Sequence, residues 1–200
     1  MRESVHTGIR ELELRPGDHV CAFYHGAADR DDVLMPYLRT GIQDGDKCIC
    51  IVDSANTAAA VALLDPSDGA ATARQLDVHL PENSYLVGGG FSREDMLNFW
   101  MDHLNAAADD GYQFSRLVGE MTWALRDAPG VGDLVNYEAE LNRVAPKYPT
   151  VVLCLYDLDR FSGEVIVSIV KTHPKVLIRG MVVENPYYVG PDEFLRYAQA

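Results

Sequence analysis

The sequence predicts an α/β protein built as a three-layer sandwich around a mainly parallel central sheet. Three observations carry this. Apolar, strand-like runs alternate with stretches of helical periodicity along the chain, which implies crossover connections and helices on both faces of a sheet. The run TVVLCLY at 150–156 is almost continuously apolar, as a strand covered on both faces should be. Residues 17–53 have the layout of a nucleotide-binding strand–loop–helix–strand unit.

The elements follow in order. A strand over 19–24 opens into a polar loop over 25–30, then an amphipathic helix from Asp31, a Gly-Asp turn at Gly45, and a strand over 47–52. An Ala-rich helix is expected over 56–64, an acidic loop over 65–72 and a weak strand over 75–80, with a further element starting near 85–87. Ser92 begins the clearest helix. With Asp95 three residues on it resembles a capping box, Met96, Leu97, Trp100 and Leu104 follow at helical spacing, and Gly111 ends it. A strand over 114–118 places Glu120 near its carboxyl end. The helix over 133–145 carries Leu134, Tyr137, Leu141 and Val144 on one stripe, and the strand over 150–156 follows. A helix over 161–172, a single strand over 176–183 and a terminal helix from Pro191 complete the series. The chain reads as one domain over 1–200, with an N-terminal extension (1–16), a core (17–191) and a terminal helix (192–200).

The first loop lacks the chemistry of its position. A phosphate-binding loop needs glycines for close backbone approach, a Lys for the outer phosphates and a Ser or Thr for magnesium. This one offers Gly26, two alanines and charged residues, of which Asp29 and Asp31 repel phosphate. The expectation is a domain that binds without turning over nucleotide, and not an enzyme. No Ser-His-Asp or Cys-His order stands out for acyl transfer.

Bulk composition narrows the partners. A net charge of -13, with 17 scattered Lys and Arg, argues against direct nucleic-acid binding, which needs a basic face. No apolar run reaches membrane-spanning length and the polar start is no signal peptide, so a cytoplasmic location without membrane attachment is expected. Cys21, Cys48, Cys50 and Cys154 all sit in apolar strand-like runs and none forms a C-x-x-C pair. They read as buried free thiols of a reducing compartment. His19 and Cys21 share a strand face and with Cys154 offer metal-ligand atoms. A strand His beside a free Cys is more often a satisfied core residue, so no metal is expected. His173 precedes a proline and reads as the end of a helix.

In parallel sheets ligands bind beyond the carboxyl ends of the strands. Tyr24 and His25, Glu120 and Trp123, Tyr156 and Asp157, and Asn185 and Tyr187 all fall at such ends. Aromatic walls with a few carboxylates and an amide make an ordinary small-molecule site, and these eight residues are expected to converge on one cavity. Core packing explains Trp123 and Tyr187 equally well, and a helix cap or turn explains Asp157. Glu120, following an apolar strand, needs partners of its own.

The ordered segments GDHVCAFYHG, GEMTWAL, NYEAELN, LCLYDLDRF, KTHPKVLIRG and ENPYY resemble the MEDS domain, the sensory domain of DcmR-like regulators named for methanogens and methylotrophs. The resemblance runs over 17–191 and matches motif positions at His19, Cys21, Tyr24, Glu120, Trp123, Tyr137, Glu138, Cys154, Tyr156, Asp157, His173, Asn185 and Tyr187. It implies a RecA/KaiC-like fold that has lost its phosphate-binding loop. It also implies a sensory role in bacterial or archaeal signalling and transcription control, toward a small, hydrocarbon-derived molecule not identified by the sequence. A protein-interaction regulator of the sigma-factor-control type is the alternative, and an enzyme using Glu120 a more remote one. Such domains are often joined to output modules, so a regulatory protein or a separate output domain is an expected partner, as is a second copy of the chain.

Overall fold

The computed structural model describes residues 3–9, 13–62, 64 and 75–197. Seven strands form one sheet in the order β5-β4-β6-β7-β3-β8-β9, where β3 is His19–Tyr24, β4 Lys47–Ile51, β5 Leu76–His79, β6 Ser115–Glu120, β7 Thr150–Asp157, β8 Lys175–Ile178 and β9 Met181–Glu184. All neighbours pair parallel except β8 and β9. A small antiparallel pair, β1 (Val5–His6) and β2 (Glu13–Leu14), precedes the sheet and buries Val5 and Leu14 completely. The acidic loop expected over 65–72, and the end of the terminal helix at 198–200, lie outside the described residues.

Period-2 alternation divides the core between the two faces. On one side α1 (Gly26–Gln43) and α2 (Ala55–Ala62) cover Val20, Ala22, Tyr24, Cys48, Cys50, Leu153 and Leu155. On the other, α3 (Arg93–Asp109), α4 (Leu134–Val144) and α5 (Gly163–Thr172) cover Cys21, Phe23, Ile49, Leu117, Cys154 and Tyr156. The three layers follow, and with them the mainly parallel sandwich. A short α6 (Pro191–Tyr197) packs against α4. The expected cap of α3 forms, Ser92 accepting from the Asp95 amide at 3.2 Å, while α5 is capped by Ser162 rather than Asp157, Ser162 accepting from the Val165 amide at 3.4 Å. All four cysteines are buried free thiols. Among the described residues no helix is long and apolar enough to cross a membrane.

Two elements differ from the sequence expectation. The polar loop over 25–30 does not exist, because α1 starts at Gly26 rather than Asp31. Gly26, at φ 65°, makes a turn that L side chains rarely adopt, and Ala27 and Ala28 continue directly as helix. The single strand over 176–183 is instead a hairpin. Arg179 and Gly180, at φ 49° and 75°, supply the paired positive-φ turn that reverses the chain between β8 and β9.

Candidate functional site

The strand ends on the α1 side hold a closed polar network centred on Glu120, which is 4% exposed. Its Oε2 accepts from the Asp53 amide at 2.8 Å, tying the end of β6 to the second residue beyond β4. Its Oε1 accepts from Arg30 Nη1 at 3.1 Å and the Tyr24 hydroxyl at 3.4 Å. Burial raises the Tyr24 phenol far above its ordinary value, and the Glu120 and Asp157 charges add to it, so the hydroxyl stays protonated and donates. Asp53 in turn accepts from Thr122 Oγ1 at 2.7 Å and from Arg126. The carboxylate of Glu120 is charge-paired with Arg30 and accepts from three donors.

At the start of α1, the His25 backbone amide donates to Asp29 Oδ2 at 2.9 Å. A helix N-terminus in this position is where a phosphate would sit, and the chain's own carboxylate engages it. The His25 imidazole turns outward, half exposed, to Asp159 at 2.8 Å.

The eight expected site residues do not share one cavity. Register separates the first group: Phe23 pairs with Tyr156 and Tyr24 with Asp157, so Tyr24 and Tyr156 point to opposite faces. Tyr24, Glu120 and Asp157 lie together on the α1 side. Asp157 stays local, accepting from the Asp159 amide at 3.0 Å. Trp123, fully buried, stacks on Tyr85 at 4.4 Å on the opposite side, against Phe91. Asn185 and Tyr187 sit at the other end of the sheet, because β9 runs antiparallel and returns the chain to the start of β8. There Asn185 Nδ2 donates to the carbonyls of Val170 and His173 at 2.6 and 2.8 Å, and its Oδ1 accepts from the Tyr187 amide. Tyr187, 73% exposed, instead walls a groove of about 330 Å³ with Ile166, Val167, Val170 and Lys171.

The α4 and α5 side holds a second cluster that the strand-end reading missed. His19, Glu138, Cys154 and His173 are each at least 99% buried. His19 Nε2 lies 3.2 Å from Glu138 Oε2 and 3.4 Å from Cys154 Sγ, and Cys154 Sγ lies 3.6 Å from Glu138 Oε2. His173 Nε2 is 3.5 Å from the same oxygen, and the two imidazoles are 4.1 Å apart. The Tyr156 hydroxyl donates to Glu138 Oε1 at 2.5 Å. Cys21, expected beside His19, aims its thiol at the Lys175 carbonyl instead. Asn142 fixes the His19 tautomer. Its amide nitrogen donates to the carbonyls of Glu138, Ala139 and Thr172, so its oxygen faces His19 Nδ1, which must carry the proton. Likewise His173 Nδ1, 2.9 Å from the Ile169 carbonyl, must donate. Both Nε2 atoms therefore face the Glu138 carboxylate, as lone pairs where the rings are neutral.

The charge demands within this cluster conflict. Burial pushes His19 below its ordinary value, with His173 adding to the effect, and so favours a neutral ring. Burial works to raise the Glu138 carboxyl as well, but hydrogen bonding with His173 and His19 outweighs it and holds it below the usual carboxylate range, which requires protons on those same rings. Burial, with Glu138 adding to it, keeps the Cys154 thiol protonated. Sequence did carry a signal for Glu138: four residues after Leu134 and three before Leu141, it is a carboxylate on an apolar stripe.

Known proteins place this architecture. The transcriptional repressor DcmR of Methylorubrum extorquens (strain DSM 6343 / CIP 106787 / DM4) is 28% identical over 179 residues, covering 86% of this chain. The chain spans 64% of the length of that relative. A KaiC-like protein of Pyrococcus horikoshii OT3 superimposes with a TM-score of 0.59 at 12% identity, over 88% of this chain and 79% of that one. The ATP synthase subunit NeqB of Nanoarcheaum equitans superimposes with a TM-score of 0.61 at 13% identity, over 88% of this chain and 50% of that one. At such identities the likeness establishes the fold, which is RecA/KaiC-like. A family model described as MEDS, the MEthanogen/methylotroph, DcmR Sensory domain, matches residues 18–174, and the chain belongs to this family.

Proposed function

We propose that this chain is a non-catalytic, small-molecule-sensing domain that acts in bacterial or archaeal transcription control. One observation carries the reading. The frame is that of a nucleotide-binding fold, yet α1 starts one residue after β3 and its amino terminus is engaged by Asp29. The phosphate-binding loop is degenerate to the point of absence, and no lysine stands where outer phosphates would need one. Glu120, the strongest candidate base, is held by Arg30 and a backbone amide. A fold kept without its turnover chemistry suits recognition.

For the ligand we assign the groove walled by Ile166, Val167, Val170, Lys171 and Tyr187. Its surface is wholly apolar, with Lys171 and Tyr187 contributing only their apolar parts beside the aliphatic side chains, and it suits a hydrocarbon skeleton. Kinship with a transcriptional repressor supports a regulatory output, delivered through a partner protein or an attached output domain. The test is native mass spectrometry of the protein purified from the organism that encodes it. A small-molecule adduct that disappears in Val170→Asp supports the assignment, and retention of the adduct in that variant moves the ligand elsewhere. A second reading, a docking module without small ligand, draws on the edge strand β9, whose Met181 and Val183 are exposed. A bare mass for the purified protein would favour it.

A further inference from the structure

We propose that His19, Glu138, Cys154 and His173 form a buried four-coordinate site for a divalent transition cation of the zinc class. The assignment is independent of the small-molecule reading. Four elements deliver one donor each: β3 gives His19, α4 Glu138, β7 Cys154, and the residue ending α5 gives His173. The four donor atoms lie within 4.8 Å of one another. In a tetrahedral zinc site with metal–ligand bonds of about 2.0–2.3 Å, neighbouring donors stand roughly 3.3–3.7 Å apart. The observed separations of 3.2, 3.4, 3.5 and 3.6 Å run along four of the six edges of such a tetrahedron.

The surroundings prepare the donors as a metal site requires. Each imidazole spends its Nδ1 proton on a fixed acceptor, the Asn142 side-chain oxygen for His19 and the Ile169 carbonyl for His173. That leaves each Nε2 aimed at the centre, where a neutral ring offers its lone pair, the usual device for orienting a ligating histidine. The Tyr156 hydroxyl fixes the outer oxygen of Glu138 and leaves Oε2 facing inward. His173 Nε2 is buried without a hydrogen-bond partner, 3.5 Å from Glu138 Oε2. Converging lone pairs of two imidazoles and a carboxylate, served only by the Cys154 S–H, are unfavourable in an apolar interior. A cation resolves this.

Charge and donor type then select the cation. On binding, Cys154 loses its thiol proton to solvent, and thiolate plus carboxylate balance a doubly charged ion. A fully buried site that sums to zero avoids the cost of an uncompensated interior charge. Two nitrogens, one sulfur and one oxygen suit zinc or cobalt. They do not suit calcium or magnesium, which take oxygen donors and water. With four protein donors the site is closed, which is the form of a structural centre rather than a catalytic one. The sequence offers His19 and Cys154 as ligand types, but no short spacing joins them to Glu138 and His173; topology assembles the four.

The test begins by counting metals in the full chain purified without chelator, then unfolding it with chelator under reducing conditions and refolding it with or without Zn²⁺ or Co²⁺. The expected result is about one metal per chain, a melting temperature that rises with added Zn²⁺, and a cobalt form with the intense visible bands of tetrahedral coordination plus a thiolate-to-cobalt charge-transfer band. Cys154→Ser should abolish the charge-transfer band and Cys21→Ser should retain it. If Cys154→Ser fails to fold, the wild-type titration alone decides. Refolding to the same melting temperature with and without Zn²⁺, together with the absence of a tetrahedral cobalt spectrum, would overturn the site and leave an extra proton shared by the histidines as its occupant. A weak, octahedral cobalt spectrum would overturn it equally.

Discussion

Replacing Glu120 by Gln separates recognition from architecture at the strand ends. The carboxylate accepts from three groups, the Asp53 amide, Arg30 Nη1 and the Tyr24 hydroxyl. An amide of the same shape has one accepting oxygen, so its NH₂ must face either the Asp53 amide or the Arg30 and Tyr24 donors. Whichever way it turns, a buried donor loses its acceptor, at a cost of about 1–3 kcal/mol. For a domain of this size that is a fall in melting temperature of roughly 2–12 °C. Calorimetry or urea denaturation measures it, and Arg30→Met with the double variant should show a coupling of about 0.5–3 kcal/mol. Glu120→Gln within about 0.5 kcal/mol of wild type, with ligand binding lost, would refute this reasoning and restore Glu120 as a recognition group.

Other perturbations probe other parts of the account. Arg116 is fully buried, donating to Asp46 at 2.8 Å, to Asp44 at 3.1 Å and to the Tyr37 carbonyl at 3.2 Å, so Arg116→Ala should destabilise by about 3–5 kcal/mol in urea denaturation. Gly41→Ala would set a methyl 2.7 Å from Arg116 Cδ and Cys48 Sγ, and overpacking there should cost about 1–3 kcal/mol by the same measurement. Mg-ATP should give no titration heat and no phosphate release, because Asp29 holds the α1 amino terminus; micromolar affinity would contradict this.

Much of the fold was legible because its signals are local. The apolar run at Thr150–Asp157 stands fully buried in the sheet, and Ser92 caps α3 through the Asp95 amide. Period-2 reasoning placed Cys48 and Cys50 on one face. The misses have local causes too. Gly26 and two alanines read as loop, where one positive-φ glycine followed by good helix formers starts a helix. Arg179-Gly180 is a hairpin turn without the Asn or Asp that usually marks one, and missing it put Asn185 and Tyr187 at the wrong end of the sheet. Register, invisible in a single sequence, set Tyr24 and Tyr156 on opposite faces. The buried cluster was half legible. His19 and Cys154 drew notice as ligand types, whereas Glu138 and His173 join them only through the packing of α4 and α5 against the sheet.

Native mass spectrometry of the protein from its own organism, compared before and after denaturation, tests the central claim most directly. A sensory domain of this kind should carry a releasable small organic molecule, distinguishable by mass from any metal ion and absent from Val170→Asp. A bound nucleotide, or a protein free of any organic adduct and indifferent to Val170→Asp, would contradict it.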